Sequence, residues 1–179
     1  MPAYQRIHSL FLALFLLSAT VPGALADDLI VSFADPAWDG KKIPDGQQCT
    51  KFGGKGATPS LQVENIPAGT NALIVEFNDR DYQPLSRNGG HGKIGFWISE
   101  GSSSALLPSV PGETNDVPEG VFVERRNRAT GDYARAGYLP PCSGGRGNRY
   151  FAEVKAVEKI EGRRRPKVLA KARIELGRY

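Results

Sequence analysis

The sequence predicts an all-β fold with one short helix at its periphery. Five stretches of strand length are apolar or alternate polar with apolar residues, the period of a pleated strand. Clusters of Gly, Pro and Asp stand between them, the residues that tight turns demand. The only helical candidate is short. The chain has 179 residues, enough for one ordinary domain with its own core.

In chain order, residues 29–33 (Leu-Ile-Val-Ser-Phe) read as the first strand. Asp39-Gly40 and Pro44-Asp45-Gly46 turn the chain. Residues 49–61 form a Gly-rich loop that holds Cys49 and leads into an alternating run. After the Pro67-Ala68-Gly69 turn, residues 71–77 are apolar enough for a central strand. Residues 93–99 follow as the next. The stretch 101–120 is a long Ser- and Pro-rich connection, containing the Pro111-Gly112 turn, and loops of that length are commonly functional. A second Gly- and Pro-dense loop, 137–150, holds Cys142. Residues 149–157 alternate in part, and 170–176 alternate cleanly and should be half buried. Between them, 158–167 is the helical candidate, limited by Pro166. No internal repeat is visible.

The first 26 residues have the composition of a secretory leader. Arg6 supplies the positive start, the run from Ile7 to Ala19 is nearly all apolar, and Ala24-Leu25-Ala26 fits a cleavage site. The run is shorter than the ~20 apolar residues of a membrane span. The expected mature domain is therefore 27–179, periplasmic or secreted, with no membrane span. Only Arg6 is charged in the leader, so 22 basic residues face 19 acidic ones in the mature chain, a mild +3. The Arg125-Arg126 and Arg163-Arg164-Arg165 runs suit solvated loops, and without aromatic-basic interleaving nucleic acid is not an expected partner.

Catalytic motifs are sparse. No G-x-S-x-G elbow places a nucleophilic serine. One mature histidine and two cysteines are too few for a zinc site, so no metal or cofactor is expected. The expectation is a protein that is not an enzyme.

The two Cys loops and the turns around them carry a family likeness. Asp39-Gly40 with Ile43-Pro44, Cys49 with Gly53-Gly54 and Thr58-Pro59-Ser60-Leu61, the Pro67-Ala68-Gly69-Thr70 turn, Asn78-Asp79-Arg80-Asp81, His91, Gly137-Tyr138 with Pro140-Pro141-Cys142, and Asn148-Arg149-Tyr150 occur in order. The chain resembles the phosphatidylethanolamine-binding protein family, in its bacterial branch of Raf-kinase-inhibitor-like proteins. The likeness runs from about residue 39 to 156. It implies a single domain around a large antiparallel-rich sheet, and a small pocket for phosphate-like anions. The family pocket is lined by an Asp, two His and a Tyr. Carried over, the ligand-binding positions are Asp79, His91, Asn148 and Tyr150, walled by the loop with Pro141 and Arg146. The likeness also implies that the two loops meet, and an exported chain with two cysteines is expected to join Cys49 to Cys142. There are departures. Arg80 stands for the Pro of the family's D-P-D, Tyr82 for its Ala, Asn148 for the second His, and Pro-Cys-Ser-Gly-Gly for P-C-P-P.

The residues support the pocket on their own terms. His91 lies between Gly-rich turns where backbone amides can approach a ligand, and a protonated imidazole suits an oxyanion. An ordinary loop histidine is the plain alternative, as a turn carboxylate is for Asp79. Arg146 and Arg149 are candidates for the charge a second His would carry. The functional expectation is a small-ligand binding protein for an anionic or phosphorylated head group. The alternative is a protein-interaction or inhibitor module, with a protein partner at surface loops such as 101–120.

Overall fold

Strand alternation sorts most apolar side chains of this chain onto one face of each of two sheets. In the computed structural model, which describes residues 28–179, β1 (Ile30–Phe33), β2 (Leu61–Glu64) and β5 (Ser104–Leu107) form a three-stranded sheet in the order β1-β2-β5. β3 (Ala72–Asp79), β4 (Gly92–Trp97), β6 (Val121–Arg125), β7 (Arg149–Glu158) and β8 (Lys167–Arg178) form a five-stranded one in the order β6-β4-β3-β7-β8. Every pairing is antiparallel. Leu61, Val63 and Leu107 of the small sheet share one core with Leu73, Val75, Phe77, Ile94, Phe96, Ala152, Val154 and Ala156 of the large one. The result is a two-layer sandwich. Burying that many apolar side chains is the main stabilising term, at roughly 25 cal/mol per Å² removed from water.

All five expected strands form, within two or three residues of the expected bounds, and the run after the Cys49 loop is β2. The expected helix at 158–167 does not form. Glu158 ends β7 and Lys167 opens β8, the two are cross-strand partners, and 159–166 is the turn between them. Gly162 takes a left-handed φ of 76°, and Pro166 cannot donate a helical hydrogen bond. That segment has no apolar stripe to bury, so the antiparallel pairing of its flanks wins. The long connection 101–120 contains β5, and β6 follows it. Single-turn 3-10 segments at Thr50–Phe52, Gln83–Leu85 and Gly131–Tyr133 are the helical content of the described residues. The leader lies outside them.

The outer face of the large sheet carries a small apolar cluster of Ala72, Ile74 and Val157 against Phe122, and a polar one beside it. Glu76 is buried there between Lys93 (2.6 Å) and Lys155 (2.9 Å). Burial opposes its charge, but the two ammonium groups outweigh that and hold its pKa below the ordinary value. No helix of the described residues is long and apolar enough to cross a membrane.

Candidate functional site: a cavity at one end of the sandwich

The antiparallel order β4-β3-β7 brings three strand ends together. The last residue of β3 is Asp79, β4 starts one residue after His91, and β7 starts one residue after Asn148. Asp79 and Tyr150 are direct cross-strand partners. Period two puts Asp79 on the same face as Phe77, and Tyr150 on the same face as Ala152, so both side chains sit at the inner end of the core. A cavity of about 350 Å³ opens there.

Asp79 is buried and accepts three hydrogen bonds. Its Oδ1 accepts the backbone N–H groups of Asp81 (2.9 Å) and Tyr82 (3.1 Å). Its Oδ2 accepts Asn148 Nδ2 at 2.7 Å. His91 is locked by its main chain, since its N–H donates to Phe77 O at 2.9 Å and its carbonyl accepts from Leu139 N at 2.7 Å. Its Nδ1 donates to Leu139 O at 2.8 Å. The other ring nitrogen, Nε2, is buried and has no partner among the described residues. Burial pushes His91 below its ordinary pKa, against the opposing pull of the Leu139 carbonyl and of Asp79. Its free-state imidazole is thus held toward the neutral form, not the protonated form the sequence suggested. The edge of its ring meets the face or edge of Tyr150 at 5.3 Å between centroids, near perpendicular. Tyr150 accepts from Cys142 N at 3.2 Å through its hydroxyl, and burial holds the phenol well above its ordinary pKa.

The outer wall is the loop that follows residue 137. Cys142 is bonded to Cys49, with Cα atoms 5.3 Å apart. Cys49 N also donates to Pro141 O at 3.0 Å. Pro140 fills a slot between two glycines. A Cβ on Gly56 would stand 2.6 Å from Pro140 Cβ, and one on Gly112 would stand 2.5 Å from Pro140 Cγ. This close approach is the reason that positions 56 and 112 carry glycine.

Asp79, His91, Arg146, Asn148 and Tyr150 all line the one cavity. Pro141 does not line it; it is buried behind the wall and braces the Cys49 loop. Arg149 is also absent from the lining, because its guanidinium and backbone N–H are spent on Asp81. The sequence missed Arg128, Tyr82 and Tyr133, which complete the rim. Arg128 donates to the carbonyls of Pro84, Arg87 and Asn88 and pairs with no carboxylate among the described residues. It stood in a run of arginines whose other members face solvent, so no local pattern distinguished it. Among the described residues no group of His, Cys, Asp and Glu is arranged to hold a metal.

The model of the phosphatidylethanolamine-binding protein family matches residues 34–175. The chain belongs to that family. Two solved structures of phosphatidylethanolamine-binding protein relatives share its fold. YbcL of Escherichia coli is 22% identical, with a TM-score of 0.52 over 85% of this chain and 98% of YbcL. A phosphatidylethanolamine-binding protein homologue of Chlamydia trachomatis is 20% identical, with a TM-score of 0.51 over 85% of this chain and 97% of that one. No curated protein matches the chain in sequence.

Proposed function

We propose that this family member is an exported binding protein, not an enzyme, whose cavity takes a phosphate-like anion or head group. The observation that carries this is the convergence of Asp79, His91, Asn148 and Tyr150 on one cavity rimmed by Arg128 and Arg146. Two guanidiniums without carboxylate partners at the mouth favour a negative ligand. The half-apolar wall of Tyr82, Leu85, Tyr133 and Leu139 suits a head group with an organic substituent. Calorimetry with inorganic phosphate and with phosphoethanolamine is the test, with a dissociation constant of about 1 mM or tighter expected. Arg146→Ala should weaken binding about three- to tenfold by removing one charge-assisted contact. No heat with either ligand at millimolar concentration removes the proposal.

Export is part of the same reading. The leader and the Cys49–Cys142 disulfide support it, since disulfides persist in oxidising compartments. Intact mass of the exported protein should begin at Asp27, and a product retaining residues 10–17 would point to an anchor instead.

A second reading, an interaction or inhibitor module, rests on β5. It is an edge strand of the small sheet, pairs among the described residues with β2 alone, and leaves Leu106 63% exposed. Such an edge can accept an added strand. His91→Ala separates the two, because a partner docked on β5 survives that change and a phosphate in the cavity does not.

A further inference from the structure

We propose that the cavity selects oxyanions that still carry a proton, and so prefers hydrogen phosphate or a singly ionised phosphate ester to a fully deprotonated anion such as sulfate. This rests on the anion-binding reading above and specifies which anion that site takes.

The argument starts from the hydrogen-bond roles on the cavity floor. Leu139 O is a carbonyl and can only accept, so His91 Nδ1 carries the proton of that 2.8 Å bond. In the neutral ring Nε2 is then a bare acceptor. It is buried, and no donor among the described residues reaches it. A buried acceptor left unpaired destabilises the empty site, so a ligand that brings a donor gains that back. Asp79 is the second acceptor. Its three donors fill Oδ1 and leave one lone pair, on Oδ2.

The groups facing His91 set the charge around it. Asp79 faces it from β3, Tyr150 from β7 and Arg128 from the loop after β6, while Tyr82, Tyr133 and Arg146 stand further along the cavity wall. Burial pushes the imidazole toward its neutral form, and the Tyr150 phenol stays protonated. A bare oxyanion pressed onto this floor would meet the Nε2 lone pair and a carboxylate. A ligand with one P–O–H inward and its charge outward would satisfy Nε2 and the two rim arginines together, and dihydrogen phosphate, with two hydroxyls, would reach Asp79 as well. A phosphate ester keeps one such hydrogen below its second ionisation at about 6, and inorganic phosphate keeps at least one across the neutral range. Sulfate has none. A site built to pair a ligand hydroxyl rejects the analogue that lacks it, because its own buried group is then left unpaired.

The test uses the full oxidised protein with ring-15N histidine, inorganic phosphate and sulfate, at about pH 6 and about pH 8. Phosphate should bind about tenfold tighter than sulfate or better at the lower pH, and lose affinity at the higher one as it gives up a proton. The His91 15N signals, assigned with His91→Gln, should keep a protonated Nδ1 and show Nε2 accepting a hydrogen bond in the complex. His91→Gln should bring the phosphate-to-sulfate ratio toward one. Sulfate binding as tightly as phosphate, or an imidazolium signature in the wild-type complex, would overturn the proposal while leaving anion binding intact. Binding of neither anion would remove the anion reading itself.

Discussion

Asn148 decides much of what the cavity floor can do. Its Nδ2 donates to Asp79 at 2.7 Å, and it carries no charge at any pH. A histidine there, as the family pattern has it, would add a second titrating group. Asn148→His is therefore expected to add a second step to the pH dependence of phosphate binding and to tighten it below about pH 6. Asn148→Asp is expected to do the reverse. It would set a second carboxylate against Asp79 and repel the ligand, lowering phosphate affinity about tenfold near pH 7. Calorimetry on the two variants beside wild type checks both. Unchanged affinity in Asn148→Asp would place the ligand elsewhere. At this scale the sequence was informative about family positions and silent about partners. Arg146 and Arg149 looked equivalent as loop cations, yet Asp81 captures Arg149 and leaves Arg146 at the rim. That choice depends on the end of β3 lying beside the start of β7, a contact across about seventy residues.

The cavity wall is a property of two loops held as one element. Pro140 lies in the slot left by Gly56 and Gly112, and the disulfide closes the same contact. The bond spans 93 residues, and a loop of ~100 gives an upper stabilisation of about 4.7 kcal/mol in the chain-entropy model. Replacing both cysteines by serine should lower the melting temperature clearly and weaken phosphate binding as the wall loosens. Gly56→Ala should be costly in its own right. Its Cβ would stand 2.2 Å from Gln47 O, which is backbone and cannot step aside, so about 1–3 kcal/mol of destabilisation is expected in thermal unfolding. A Gly56→Ala protein as stable as wild type would mean that the slot is not tight. The long strands were legible because alternation and length agree in them. β5 was not, since four residues inside a Ser-rich stretch carry little pattern, and they become a strand only by pairing with β2 forty residues earlier. β6 was hidden between Pro118 and the arginines that follow it. The mistaken helix at 158–167 came from local composition, where hairpin pairing across the turn decides the outcome.

For the whole molecule, stability should depend on pH in two separate windows. His91 has a folded pKa below its ordinary 6.5, because burial disfavours its charge. Between that value and 6.5 the unfolded chain binds a proton that the folded one does not, so stability falls as pH drops below about 6.5. Glu76 and Asp81 act lower down. Burial opposes the charged form of Glu76, yet Lys93 and Lys155 together hold it below its ordinary 4.5. Hydrogen bonds from the Arg149 side chain and backbone hold Asp81 below 3.8. Their contributions are present above those ordinary values and are lost as pH falls through the depressed ones. The melting temperature should therefore be flat from about pH 7 upward, begin to decline below about pH 6.5, and decline again below about pH 4.5. His91→Gln should remove the first decline and leave the second. Glu76→Gln should leave the first, reduce the second, and lower stability near pH 7 by about 3–5 kcal/mol, because Lys93 and Lys155 would lose their shared buried partner. Thermal unfolding of the three proteins across pH 4 to 8 distinguishes these contributions. If His91→Gln melts along the same curve as wild type below about pH 6.5, the imidazole is not held neutral in the folded chain. The floor of the cavity would then present a donor rather than an acceptor.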